Sequence, residues 1–199
     1  HLSALGKQTA QDLLSQSLRW NVILSRVRQN EIGPLLFRNL KLLGFQSVPE
    51  EFRELLDGIS RANALRSSLQ AEELASILRT FDRAGIPAIP LKGLYLAQSL
   101  YGELSARVCA DMDILVPRQD VAQALGLLGE LQYQTAIPLW LAPDLLSKSA
   151  FECAFWRSDR SMSYLLELHW GLLWAETVND ARLKDLWAEA GQQEFLGVP

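Results

Sequence analysis

Ala110-Asp111-Met112-Asp113-Ile114-Leu115-Val116-Pro117 sets two acids, one residue apart, into a short apolar run. Ile114, Leu115 and Val116 read as a buried strand, and Pro117 marks its end. On a strand, residues i and i+2 point to the same face, so Asp111 and Asp113 project together. Two neighbouring anions on a mostly buried strand repel each other and are costly to desolvate. A divalent cation removes both penalties, and an oxygen-rich site suits Mg²⁺, with Mn²⁺ as the alternative. The pair therefore points to metal-dependent phosphoryl transfer.

The chain before this strand reads as helical. Gln11 to Leu18 and Trp20 to Val27 carry apolar patterns, and Gly33-Pro34 interrupts them. Leu36, Leu40 and Leu43 form a third stripe that ends near Gly44. Pro49, followed by Glu50 and Glu51, opens a further helix. Helical spacing then persists to Ala84-Gly85, as one long helix or two stacked ones, with Leu55, Ile59, Leu65, Leu69, Leu74, Ile77, Leu78 and Phe81 as expected core positions.

The character changes at Gly85. Ile86 to Leu91 holds Pro87 and Pro90 and suits an edge strand. Lys92-Gly93 follows, then a helix from Leu94 to Tyr101 and a polar return over Gly102 to Val108. After the acidic strand, Arg118 to Gly129 reads as a helix and Gln132 to Ile137 as a short strand, with breaks at Pro138 and Pro143. Phe151 to Arg157 and Tyr164 to Trp170 read as two strands joined by the turn Ser158-Asp159-Arg160-Ser161, and Asp180 to Ala190 as a last helix. The order predicts an α+β fold, an N-terminal helical region (1–84) packed beside a small mixed β-sheet (85–199).

Glu167 in Tyr164-Leu165-Leu166-Glu167-Leu168-His169-Trp170 repeats the anomaly of an acid inside an apolar strand. It is the candidate third carboxylate of the metal site, and His169 shares its face. If this strand lies beside the Asp111 strand, three acids and an imidazole converge. Lys92-Gly93, between a strand and a helix, offers an ammonium, a backbone amide and a helix N-terminus to a triphosphate. Arg107 can add a bidentate phosphate contact, or pair with Glu103 instead. Lys92 also reads as a plain solvated strand-end lysine, His169 as a hydrogen-bonded core histidine, and Trp170 and Trp174 as core aromatics. Cys109 reads as a small buried residue.

Pro90-Leu91-Lys92-Gly93, Leu100-Tyr101, Arg107 and Asp111-Met112-Asp113-Ile114-Leu115-Val116 together resemble the uncharacterised nucleotidyltransferase family of the DNA polymerase β-like superfamily. Glu167-Leu168-His169-Trp170 resembles that family's downstream acid-x-His-Trp element. The resemblance spans roughly residues 15 to 199. It implies a small mixed sheet, Mg²⁺ dependence and transfer of an NMP from an NTP to an acceptor. By the same match Asp111, Asp113 and Glu167 would be the catalytic metal ligands, and Gly93 would stand at the superfamily's glycine turn. Leu94 follows Gly93 where the superfamily usually has a second small residue.

Composition narrows the rest. A 49% hydrophobic, 21% charged chain of 199 residues is ordinary for a folded protein. A net charge of −4 gives no basic footprint for broad nucleic-acid binding. Cys109 and Cys153 are too few for a disulfide framework and fit a reducing cytoplasm. No apolar run reaches membrane-span length, and the start does not resemble a signal peptide. The turn-like end at Gly197-Val198-Pro199 leads us to expect that the natural protein continues past residue 199. The acceptor is a small molecule, a protein or an RNA end. The competing functions are a non-catalytic nucleotide-binding or interaction module on the same fold, and a phosphohydrolase using the same carboxylates.

Overall fold

Four helices come first in the computed structural model, which describes residues 3–136, 151–171, 180–191 and 193–198. Helix α1 (Ala4–Leu14) starts where the Ser3 hydroxyl accepts from the Gly6 amide at 3.1 Å, an N-cap that places it earlier than its apolar pattern suggested. Helix α2 (Trp20–Gln29) follows. The break after α2 falls at residues 30–32, and Gly33-Pro34 opens α3 (Gly33–Leu42), where a proline lacking its N–H costs nothing. The fourth, α4 (Glu50–Arg83), is a single helix of 34 residues.

By packing, the chain groups into two compact units. One comprises residues 1–68 and 97–108, the other residues 69–96 and 109–199, and α4 changes unit between Ser68 and Leu69. In the first, Val27, Leu40, Phe52 and Leu56 form a buried cluster, with the Trp20 and Phe52 rings 4.8 Å apart. A Cβ on Gly33 would stand 2.8 Å from the Ile59 Cγ2 methyl, so only glycine admits this approach of α3 to α4.

The buried stripe of α4 corrects the expected core. It runs through Phe52, Leu56, Asn63, Ser67, Gln70, Leu74, Leu78 and Phe81, whereas Leu55 is 43% exposed and Leu65 66%. Phase around the helix decides burial, and the two leucines sit off the stripe. Polar residues take its middle because backbone needs partners there. Asn63 Nδ2 donates to the carbonyls of Ser105 and Arg107, both at 2.9 Å, in a segment containing the 3-10 turn Leu104–Ala106 and no sheet ladder.

The second unit is built on a four-stranded sheet. Strands β1 (Ile89–Leu91), β2 (Met112–Leu115), β3 (Glu152–Ser158) and β4 (Ser163–His169) lie in the order β1-β2-β4-β3. The β1–β2 and β3–β4 pairs are antiparallel, and β2–β4 is parallel. Pro90 is tolerated because β1 is an edge strand. Helices α5 (Gly93–Tyr101), α6 (Val121–Glu130) and α7 (Asp180–Glu189) complete the described elements. Of the strand expected at Gln132–Ile137, the described residues form one bridge, Gln134 to Trp156, and Ile137 lies outside them. Pro138, Pro143 and Trp174 lie outside the described residues. Among the described residues no helix is long and apolar enough to cross a membrane.

Met112, Ile114, Leu166 and Leu168 alternate on one face of the sheet and are buried, while Asp113, Glu167 and His169 take the other. Glu73 of α4 ties that helix to β3 and α6's exit. It pairs with Arg157 and accepts from the Tyr133 hydroxyl at 2.8 Å. Burial, followed by the Glu73 hydrogen bond and charge, pushes the Tyr133 phenol well up. The β3–β4 turn is held by Asp159, whose Oδ1 accepts from the Ser161 hydroxyl, the Ser161 amide and the Met162 amide. These bonds favour the carboxylate and hold its pKa at about 2.

Leu56 is fully buried, so Leu56→Ala is expected to cost ~2–5 kcal/mol in chemical denaturation, against about 0.5 kcal/mol or less for the exposed Leu55→Ala. The Asp159 bonds also set a pH dependence. Because the folded value lies below 3.8, their contribution is fully present above 3.8 and is lost as pH falls through about 2. Carboxyl NMR at pH 3 should find Asp159 mostly ionised, and Ser161→Ala should move its midpoint up toward 3.8.

Candidate functional site

The turn from β1 into α5 is made by two consecutive residues with left-handed backbone, Lys92 (φ +48°) and Gly93 (φ +41°). Glycine adopts this freely. A Cβ there would find only ordinary contacts, 3.7 Å to the Asp111 carbonyl oxygen, so conformation and not space asks for glycine. Lysine adopts it at a cost of order 1 kcal/mol, and its position suggests what offsets that cost. Lys92 Nζ lies 3.1 Å from Asp113 Oδ1. The lysine side chain is 65% exposed and the aspartate's only 3%, so the ammonium reaches in from solvent to a buried anion.

Register brings the other groups. Leu91 pairs with Asp113 across β1–β2, which carries Lys92 just beyond it. Asp113 pairs with Glu167 across the parallel β2–β4 ladder, and His169 follows two residues on, on the same face. His169 in turn pairs with Glu152 across β3–β4. The His169 ring sits among three carboxylates. Its Nε2 is 3.1 Å from Asp113 Oδ1 and 3.5 Å from Glu167 Oε2, and its Nδ1 is 3.2 Å from Glu152 Oε2. One ligand atom from each of Asp113, Glu167 and His169 fits within 4.8 Å of the others.

Charge follows geometry. Burial alone would push the Asp113 carboxyl up, but hydrogen bonds from His169 and Lys92, with the lysine's charge, hold it below the usual aspartate range. The same bond to Asp113 raises Lys92, against a smaller lowering by burial. Glu167 is pushed up, first by burial and then by the charges of Asp111, Asp113 and Glu152. The His169 ring works against this, lowering it. The cluster is thus crowded with negative charge on its Glu167 side.

Of the residues singled out from the sequence, the structure gathers Asp113, Glu167, His169 and Lys92 around one point, with Gly93 in the adjoining turn. Asp111 stands immediately before β2, half-buried. It is outside the three-residue group and acts through its charge on Glu167 and Lys92. Arg107 is exposed and belongs to the helical unit, where its carbonyl accepts from Asn63. It does not pair with Glu103, which lies 3.9 Å from Arg38 and accepts from the Ser105 hydroxyl. Cys109 and Trp170 are buried, as expected.

Sequence reading missed Glu152. Its signal was present, because counting back along both strands from the Asp159 turn sets Glu152 opposite His169. The donor set, two carboxylates and an imidazole with a deficit of positive charge, suits a divalent cation. The 3.1 and 3.5 Å separations are near the ~3.0 Å expected between adjacent ligands of an octahedral ion with ~2.1 Å bonds.

Residues 16–198 match the family described as "uncharacterised nucleotidyltransferase". No curated protein and no solved structure matches the chain.

Removing one of the crowded anions is expected to stabilise the metal-free protein. In EDTA at pH 7, Glu167→Gln should melt above wild type in a thermal scan, whereas Lys92→Met, which strips a buried carboxylate of a partner, should melt below it.

Proposed function

Because the chain belongs to the uncharacterised nucleotidyltransferase family, we propose that it moves an NMP from an NTP to the hydroxyl of an acceptor, with Mg²⁺ or Mn²⁺. The observation that carries this reading is the direct pairing of Asp113 with Glu167 across β2–β4, beside the Lys92-Gly93 turn. Asp113 and Glu167 would hold the cation, with Asp111 at its outer side. The bound cation would polarise the α-phosphate and offset the charge that develops on it.

The protein's own groups would do the rest. The Lys92 ammonium and the amides opening α5 would hold the β- and γ-phosphates, which leaves the α-phosphorus over the paired acids. Glu167 would take the proton of the acceptor hydroxyl as its oxygen attacks that phosphorus. The bond from the α-phosphorus to the bridging oxygen would then break, and pyrophosphate would leave. His169 would stand beside the two acids, its ring held from behind by Glu152. The acceptor is a hydroxyl-bearing group. Cys109 and Cys153 are buried and form no disulfide, which suits a reducing compartment, and we place the reaction in the cytoplasm.

Asp113→Asn should lower NMP transfer at least about a thousandfold, the equivalent of about 4 kcal/mol of barrier, with far-UV CD unchanged. In a thermal-shift panel of the four NTPs, the midpoint should rise only where nucleotide, divalent cation and wild-type Asp113 are all present. Transfer that survives Asp113→Asn would sink the assignment.

A further inference from the structure

His169 is buried between two carboxylates it faces through Nε2 and one it faces through Nδ1, an arrangement the paired acids alone do not require. A carboxylate has only acceptor oxygens, so Glu152 Oε2, at an ion-pair distance of 3.2 Å from Nδ1, can only accept from that nitrogen. The remaining nitrogen, Nε2, points at Asp113 Oδ1 and Glu167 Oε2, and neither can donate to it. With a cation bound, the Nε2 lone pair would be aimed where both carboxylate oxygens also converge. A ligating histidine whose other ring nitrogen is held by a carboxylate is the usual way proteins orient such a ligand.

We propose that His169 is itself a ligand of the bound cation, through Nε2, with Glu152 as the positioning residue that orients its ring. This deepens the reading above and rests on it. It also changes the cation expected. Two carboxylates and an imidazole suit a first-row transition-metal ion better than Mg²⁺, which prefers oxygen throughout. Mn²⁺ accepts both donor types, so the site should choose Mn²⁺ over Mg²⁺.

The test uses the full chain, stripped with EDTA and titrated with Mn²⁺. Free Mn²⁺ is followed by continuous-wave EPR, and the bound ion by electron spin-echo modulation from ¹⁴N. Wild type should show ¹⁴N modulation from a directly bound nitrogen and prefer Mn²⁺ over Mg²⁺ by about tenfold or more. His169→Gln should lose the modulation and most of that preference. Glu152→Gln should keep the modulation but bind Mn²⁺ about 10- to 100-fold more weakly, as losses of outer partners of metal-bound histidines do. Bound Mn²⁺ without ¹⁴N modulation in wild type would overturn the proposal, and this measurement needs no variant to fold. Equal Mn²⁺ affinity in Glu152→Gln and wild type would overturn the positioning role. Asp113→Asn separates this failure from that of the wider reading. If it loses Mn²⁺ while wild type shows no ¹⁴N modulation, the carboxylate site stands and the nitrogen ligand falls. If it binds Mn²⁺ like wild type, both fall.

Discussion

A carboxylate buried to 3% exposure within a sheet is a costly group, and the neighbourhood of Asp113 is arranged around that cost. Desolvating one such charge costs several kcal/mol unless it is paired and hydrogen-bonded. Two donors on one oxygen, Lys92 Nζ and His169 Nε2, both at 3.1 Å, offset it here. Each brings a further requirement. The ammonium arrives from a residue in left-handed backbone, and the imidazole needs Glu152 behind it. The strained turn and the carboxylates around the ring both answer to that buried charge.

The two acids that first drew attention divide this task unequally. Met112 begins β2, so Asp113 lies within the ladder and Asp111 just outside it. The i, i+2 rule gives both side chains one direction, but only the residue inside the strand is forced out of water. Asp113 therefore carries the desolvation and the fixed geometry. Asp111 stays half in solvent and contributes a field, which raises both Glu167 and Lys92.

Much of this was legible in the sequence because local rules sufficed. Apolar residues around two acids gave β2. Prolines at 87 and 90 gave an edge strand, and a polar turn between two apolar runs gave the β3–β4 hairpin. What escaped was whatever depends on partners distant along the chain. The parallel β2–β4 pairing joins residues 54 positions apart, Asp113 to Glu167, and no local signal encodes it. Along α4, Leu55 and Leu65 read as core by residue type, while Asn63 and Ser67 took the buried phase. The helix satisfies carbonyls of a loop some 40 residues later, a demand its own sequence cannot announce.

The charge balance of the site constrains how any nucleotide could use it. Among the described residues, Asp111, Asp113, Glu152 and Glu167 face one ammonium, that of Lys92, and one imidazole, and Glu167 already resists ionising in their company. A triphosphate approaching this face alone would meet like charge at close range, where the low local dielectric magnifies repulsion. The ammonium that would greet it is engaged with Asp113. A cation entering between the carboxylates resolves both difficulties together. It neutralises the acids, and by satisfying Asp113 it releases the exposed lysine side chain toward the phosphates. On the proposed reaction, cation and nucleotide are therefore coupled by electrostatics before any bond is made or broken, and the nucleotide should bind poorly without the cation.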